Sequence, residues 1–220
     1  MTFAPLPWQT ACEQALHDFT RQDALRFWGW GHELDGLRVP AFDYRFEHTL
    51  AVVKLAEWLA PLVDADADVL TCAAWLHDCR KMLGWRGPDN HAEDAGNALD
   101  GILEGTDFPR HKISAVRHAI SNHVGLSLKE PLEPLETACL WDIDKLSKLG
   151  AASLIHFIGI APAFQPTSTS EVLEKGEKWL KLAHGIVDSM NTAPAKSEAA
   201  KRFEFLRHFY EQLIDEWETI

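Results

Sequence analysis

The sequence predicts an all-α fold, and three observations carry that prediction. Apolar residues recur at three- and four-residue spacing through most of the chain. Pro and Gly residues cut this pattern into segments of helix length. No stretch alternates apolar and polar residues as a half-buried strand does. The 220 residues are enough for one well-filled domain of about eight or nine helices. The expected division is an N-terminal helix and a Trp/Gly loop at 1–40, a core at 41–165, and C-terminal helices at 166–220.

The elements follow in order. Residues 8–27 are amphipathic, and Gly29, Gly31, Gly36 and Pro40 mark the loop after them. The 44–60 segment carries Leu50, Val53 and Leu55 among charged residues, and Pro61 is expected to end it. Residues 66–79 are nearly all apolar toward their end, as in a central buried helix. A loop through Gly84, Gly87 and Pro88 leads to Asn90, which with Glu93 resembles a capping box for a helix at 91–104. Helices at 111–124 and 135–149 are bounded by Pro109, Pro131, Pro134 and Gly150. Residues 151–163 read as buried and apolar, and 169–190 and 196–218 as two long amphipathic helices.

Composition narrows the partners. Acidic residues outnumber basic ones by 33 to 21, a formal charge of −12, which disfavours nucleic acid because gripping phosphates along a strand needs a basic face. A small phosphorylated ligand stays compatible if a metal and a few cations make the pocket locally positive. The four cysteines form no C-x-x-C pair and read as reduced thiols. Pro5, Pro7, Glu13 and Asp18 interrupt the apolar stretch that a signal peptide needs. No run approaches the roughly 18 apolar residues of a membrane span. The expectation is a cytoplasmic protein with no membrane partner; oligomeric state is not legible.

Candidate chemistry comes from polar groups on apolar helix faces. His48 shares a face with Val52, Leu55 and Leu59, and His77 with Leu70, Ala73 and Ala74. Asp144 follows Leu140 by one turn. His91 lies on the face of Ala95, Ala98 and Ile102, and His123 on that of Val116, Ala119 and Ile120. His118 stands about 140° around the helix from His123, so His123 is the one expected to face inward. A lone inward His is usually a satisfied core residue. Several such groups from separate helices point to a metal instead, because a buried carboxylate needs pairing and imidazole and carboxylate suit divalent ions.

The residues now carry a resemblance. Trp75-Leu76-His77-Asp78-Cys79-Arg80-Lys81 resembles the signature of the HD superfamily of metal-dependent phosphohydrolases, with His48 upstream and Asp142-Ile143-Asp144-Lys145-Leu146 downstream completing the pattern. The similarity runs from about residue 40 to the C-terminus, and its end resembles that of small bacterial members. It implies a helical fold with a divalent metal (Mn, Fe, Mg, Ni or Zn) held by His48, His77, Asp78 and Asp144. In members with two ions, His91 and His123 would complete a second site with Asp78 bridging. Asp142 points about 160° away from Asp144 and reads as solvated or helix-capping.

The implied activity is cleavage of a phosphate ester or anhydride of a small substrate, a nucleotide in the preferred reading, by metal-activated water. Asp78, Lys81 and Lys145 are the expected catalytic groups, with Lys145 and Arg45 holding substrate phosphate; Arg45 could equally pair with Asp43 or Glu47. Trp75 and Trp141 read as core rather than base-stacking rings, and Cys79 as a small buried hydrophobe. Two alternatives belong to other classes. One is a di-iron oxygenase on the same fold, disfavoured because Lys81 stands where that pattern has a further His. The other is a regulatory binding module with an inactive site.

Overall fold

A computed structural model describes residues 7–84, 90–164 and 168–219, with side chains at 161–164 left out. Pro5, Gly87 and Pro88, read above as break points, lie outside these residues. The described residues are all-α apart from one small hairpin. They form α1 (Trp8–Trp28), α2 (Tyr44–Val63), α3 (Ala67–Leu76), α4 (His91–Ile102), α5 (Ile113–Asn122), α6 (Leu135–Leu146), α7 (Ala151–Phe164), α8 (Thr169–Asp188) and α9 (Ala193–Glu218). Strands β1 (Gly31–Leu34) and β2 (Leu37–Pro40) form an antiparallel pair.

The hairpin was not expected, yet its cause is local. Asp35 and Gly36 both have positive φ, 51° and 77°, the conformation that a two-residue turn requires and that an Asp-Gly dipeptide supplies. The strands are too short and too exposed to show alternation, which is why they read as loop.

Pro61 does not end its helix: α2 continues to Val63, and Asp64 closes it in the left-handed conformation with φ 59°. A proline there removes only one bond of the final turn, so the helix tolerates it. Asn90 precedes α4 but its side chain makes no cap hydrogen bond, so the capping box is not formed. The 111–124 segment opens with a 3-10 turn, Arg110–Lys112, before α5. Helices α3 and α6 end at Leu76 and Leu146, earlier than the spacing suggested. Segment 151–163 is helical, but in α7 Ile155, Phe157 and Ile158 are exposed instead of buried. Apolar content alone does not say which neighbours cover a helix.

One continuous core runs from Trp8, Cys12 and Leu16 of α1 through Val52 and Leu59 of α2, Leu70 and Leu76 of α3, Leu99 of α4, Ile120 of α5 and Leu140 of α6 to Leu206 and Tyr210 of α9. Helix α3 is central: Ala73, Ala74, Cys72 and Leu76 are wholly buried, as expected of a helix nearly all apolar toward its C-terminal end. Asp66 starts it by accepting from the backbone N–H groups of Asp68 and Val69. Asp43 starts α2 the same way from Phe46 N. Helix α8 lies so close on α9 that a Cβ at Gly176 would collide with the ring of Tyr210.

Candidate metal centre

Five element ends converge on one buried cluster. His48 comes from the second turn of α2, His77 and Asp78 from the turn after α3, His91 from the first residue of α4, His123 from the end of α5 and Asp144 from the last turn of α6. All six are buried. Asp78 is the hub. Its Oδ2 lies 3.7 Å from the Nε2 atoms of both His48 and His77, and its Oδ1 lies 3.2 Å from His91 Nε2 and 3.5 Å from His123 Nε2. Asp144 Oδ1 lies 3.3 Å from His48 Nε2 and 3.9 Å from His77 Nε2. Two groups have their ligand atoms within 4.8 Å of one another: His48-His77-Asp78 and Asp78-His91-His123.

Hydrogen bonding on the far side of the His77, His48 and His123 rings fixes what they turn inward. His77 Nδ1 sits 2.8 Å from Ala74 O, and a carbonyl only accepts, so Nδ1 carries the proton and Nε2 the lone pair. Ser147 Oγ donates to Asp144 O at 2.6 Å and is 3.1 Å from His48 Nδ1, so it accepts from that ring. The two bare Nε2 atoms then face each other at 3.3 Å. His123 Nδ1 is bound to Ile120 O at 2.6 Å, and its Nε2 faces His91 Nε2 at 3.4 Å.

Protonation does not relieve the His48–His77 opposition near neutral pH. Burial, reinforced by Lys148, lowers His48 to about 4, and burial holds His77 well below its ordinary value. Asp78 Oδ1 is buried and makes no hydrogen bond among the described residues. Facing lone pairs of His48 and His77 on one side of Asp78, and an unsatisfied carboxylate oxygen on the other, suit divalent cations.

Cations hold both carboxylates ionised. Burial pushes Asp78 up, but Arg45, His77 and Lys81 outweigh it and the carboxyl sits well below its ordinary range. Burial likewise opposes Asp144, and Lys145 and Lys148 overcome it. Arg45 Nη1 reaches Asp78 Oδ2 at 2.5 Å, so it pairs with Asp78 and not with Asp43 or Glu47. Lys145 is buried, with Nζ on Asp144 Oδ2 and on His123 O at 2.8 Å. Burial lowers its pKa, against the pull of Asp144. Lys81 is partly exposed, its Nζ 3.5 Å from Asp78 Oδ1.

Sequence reasoning missed Lys148 and Ser147. Lys148 pairs with Asp144 Oδ1 from one turn on, and that i+4 spacing was a usable signal. Nothing in the sequence singles out Ser147. Asp142 corrects the solvated reading: it is fully buried, and its carboxylate accepts from the backbone N–H and side chains of Asn191 and Thr192, at the start of α9. Its capping is therefore of a distant helix. His118 is exposed, with its ring on Glu133 O. Trp75 and Trp141 are in the core. Burial pushes the Cys79 thiol up to about 12 despite Arg80, which leaves it inert as a nucleophile.

Residues 45–149 match the family model of the HD domain, a span that contains all six clustered residues. The chain also superposes along nearly its full length on solved structures. A protein from an uncultured Thermotogales bacterium, described as a predicted HD superfamily hydrolase, is 20% identical with a TM-score of 0.61, covering 96% of this chain and 94% of that one. Bacillus subtilis YpgQ in complex with ADP is 18% identical with a TM-score of 0.61, covering 95% and 96%. An HD-superfamily hydrolase from Bacillus thuringiensis is 22% identical with a TM-score of 0.62, covering 97% and 100%. No curated protein matches the chain. At these identities the structural likeness establishes the fold.

Proposed function

We propose that this chain, whose residues 45–149 match the HD domain, is a metal-dependent phosphohydrolase acting on a small phosphorylated substrate, a nucleotide. The observation that carries this reading is the convergence of four imidazole Nε2 atoms on Asp78, with the bare lone pairs of His48 and His77 opposed at 3.3 Å. His48, His77, Asp78 and Asp144 would hold one divalent ion. Asp78, His91 and His123 would hold a second, one carboxylate oxygen turned to each group. Ions bound there supply an acidified water and neutralise charge on the phosphate.

The chain's own residues fix the geometry. Ser147 and the carbonyls of Ala74 and Ile120 hold the rings with Nε2 inward. Arg45 and Lys145 keep Asp78 and Asp144 ionised and oriented. Because those two cations are buried on the carboxylates, the phosphate-holding role passes in this reading to Lys81 and Lys148, whose side chains are 31% and 23% exposed. The ADP bound to the Bacillus subtilis relative supports a nucleotide as substrate.

The test combines metal analysis of the purified protein with phosphate or pyrophosphate release from nucleotides and sugar phosphates in Mn. His77→Ala should lose bound metal and lower turnover by at least about a hundredfold. Undiminished hydrolysis by that variant would remove the centre from the reaction.

A further inference from the structure

A cavity of about 500 Å³ adjoins the metal centre, within the ~300–1,000 Å³ range of small-molecule sites. Its outer walls come from α7, α8 and α9, beyond the segment that matches the family model. Phe157, Trp179 and Leu182 supply apolar surface, and Lys148, Lys175 and Lys178 supply positive charge. No carboxylate lines it among the described residues. Lys148 and Lys178 pair with Asp144 and Glu174, and with Lys175 they place three ammonium groups at one wall of a chain of net charge −12, where an anion can be held.

The cavity begins where the proposed ligands end. The ring of Tyr44, part of its wall, stacks on His48 with centroids 6.0 Å apart and planes at 12°. Ser147, also in the wall, holds His48 Nδ1, and Lys148 pairs with Asp144. Phe157 and Leu182 are 43% and 53% exposed, so apolar surface stands uncovered beside the reaction centre.

We propose that this cavity seats a flat, apolar part of the substrate, with Lys148 taking the phosphate at the mouth toward the metal centre. This rests on the phosphohydrolase reading and names its recognition site. Binding comes from stacking and burial against Trp179 and Phe157. The wall offers few donors or acceptors for the edge of a base, and an apolar pocket rejects isosteres weakly. Different nucleobases are therefore accepted with little discrimination, while a phosphate on a bare sugar lacks the group that fills the cavity.

Equilibrium dialysis of AMP against the purified protein in excess EDTA, which withholds the metal-activated water, tests this without turnover. AMP should bind, GMP and CMP should displace it with affinities within about tenfold of its own, and ribose 5-phosphate should not displace it at comparable concentration. Phe157→Ala and Trp179→Ala should each weaken AMP by about tenfold, with circular dichroism confirming their fold. Lys148→Met should weaken AMP but not adenosine.

Equal competition by ribose 5-phosphate would overturn the proposal, as would wild-type AMP affinity in both aromatic variants. Binding of 1-naphthyl phosphate but not AMP would keep the cavity's role and identify a non-nucleotide aromatic phosphate; binding of neither would overturn it. A protein that binds as described but releases neither phosphate nor pyrophosphate from any nucleotide would overturn the hydrolase reading alone.

Discussion

Ser147 sets the tautomer of His48, from 99 positions away in the chain. Its hydroxyl hydrogen is committed to Asp144 O, so only a lone pair remains for the imidazole. Remove that acceptor and the ring can rotate or take the other tautomer, turning an N–H toward the metal. Ser147→Ala should therefore weaken metal binding by about ten- to a hundredfold while the helices stay folded. Competition with a chelating dye measures this, and unchanged affinity would show that packing alone orients His48. Lys145 teaches a second point at this scale. The sequence reading gave it a role on substrate phosphate, but burial has committed its ammonium to Asp144 and His123 O.

Helix α3 delivers the His77-Asp78 pair, so its start matters to its end. Asp66 caps it through two backbone N–H groups, receives Lys112 Nζ at 2.8 Å and gives its own N–H to Glu136. Asp66→Ala should cost about 1 kcal/mol in urea unfolding at pH 7. Burial raises the Asp66 carboxyl, but Lys112 and the backbone N–H donors pull it below its ordinary value. A depressed folded pKa means stability that is present above the unfolded value, about 4, and lost as pH falls through the folded one. The gap between Asp66→Ala and the parent should thus be full at pH 7 and shrink below about pH 4. A gap independent of pH would assign the cap to the backbone alone.

For the whole molecule, a metal held by a centre assembled from five element ends would be linked to folding. The proposed ligands are spread from His48 to Asp144 and converge only in the folded chain. An ion that binds the folded state alone adds about 2.7 kcal/mol at a hundred times its Kd. For a chain of this size that should raise Tm by about 5–10 °C. Thermal melts with Mn and with excess EDTA measure it. Identical melts would mean that the centre does not bind Mn in the folded protein.

The sequence by itself determined the helical class, the approximate positions of most helices among the described residues, and which His and Asp residues lie on apolar faces. Those properties are local: period, residue type and punctuation act within a few turns. What the tertiary structure decided depends on neighbours far along the chain. It turned Asp142 away to hold Asn191 and Thr192, committed Arg45 to Asp78, and put Ser147 and Lys148 against the ligands. It also left part of α7 uncovered, forming one wall of a cavity. Side-chain partners follow from which helix ends meet, and a single chain's periodicity carries no record of that meeting.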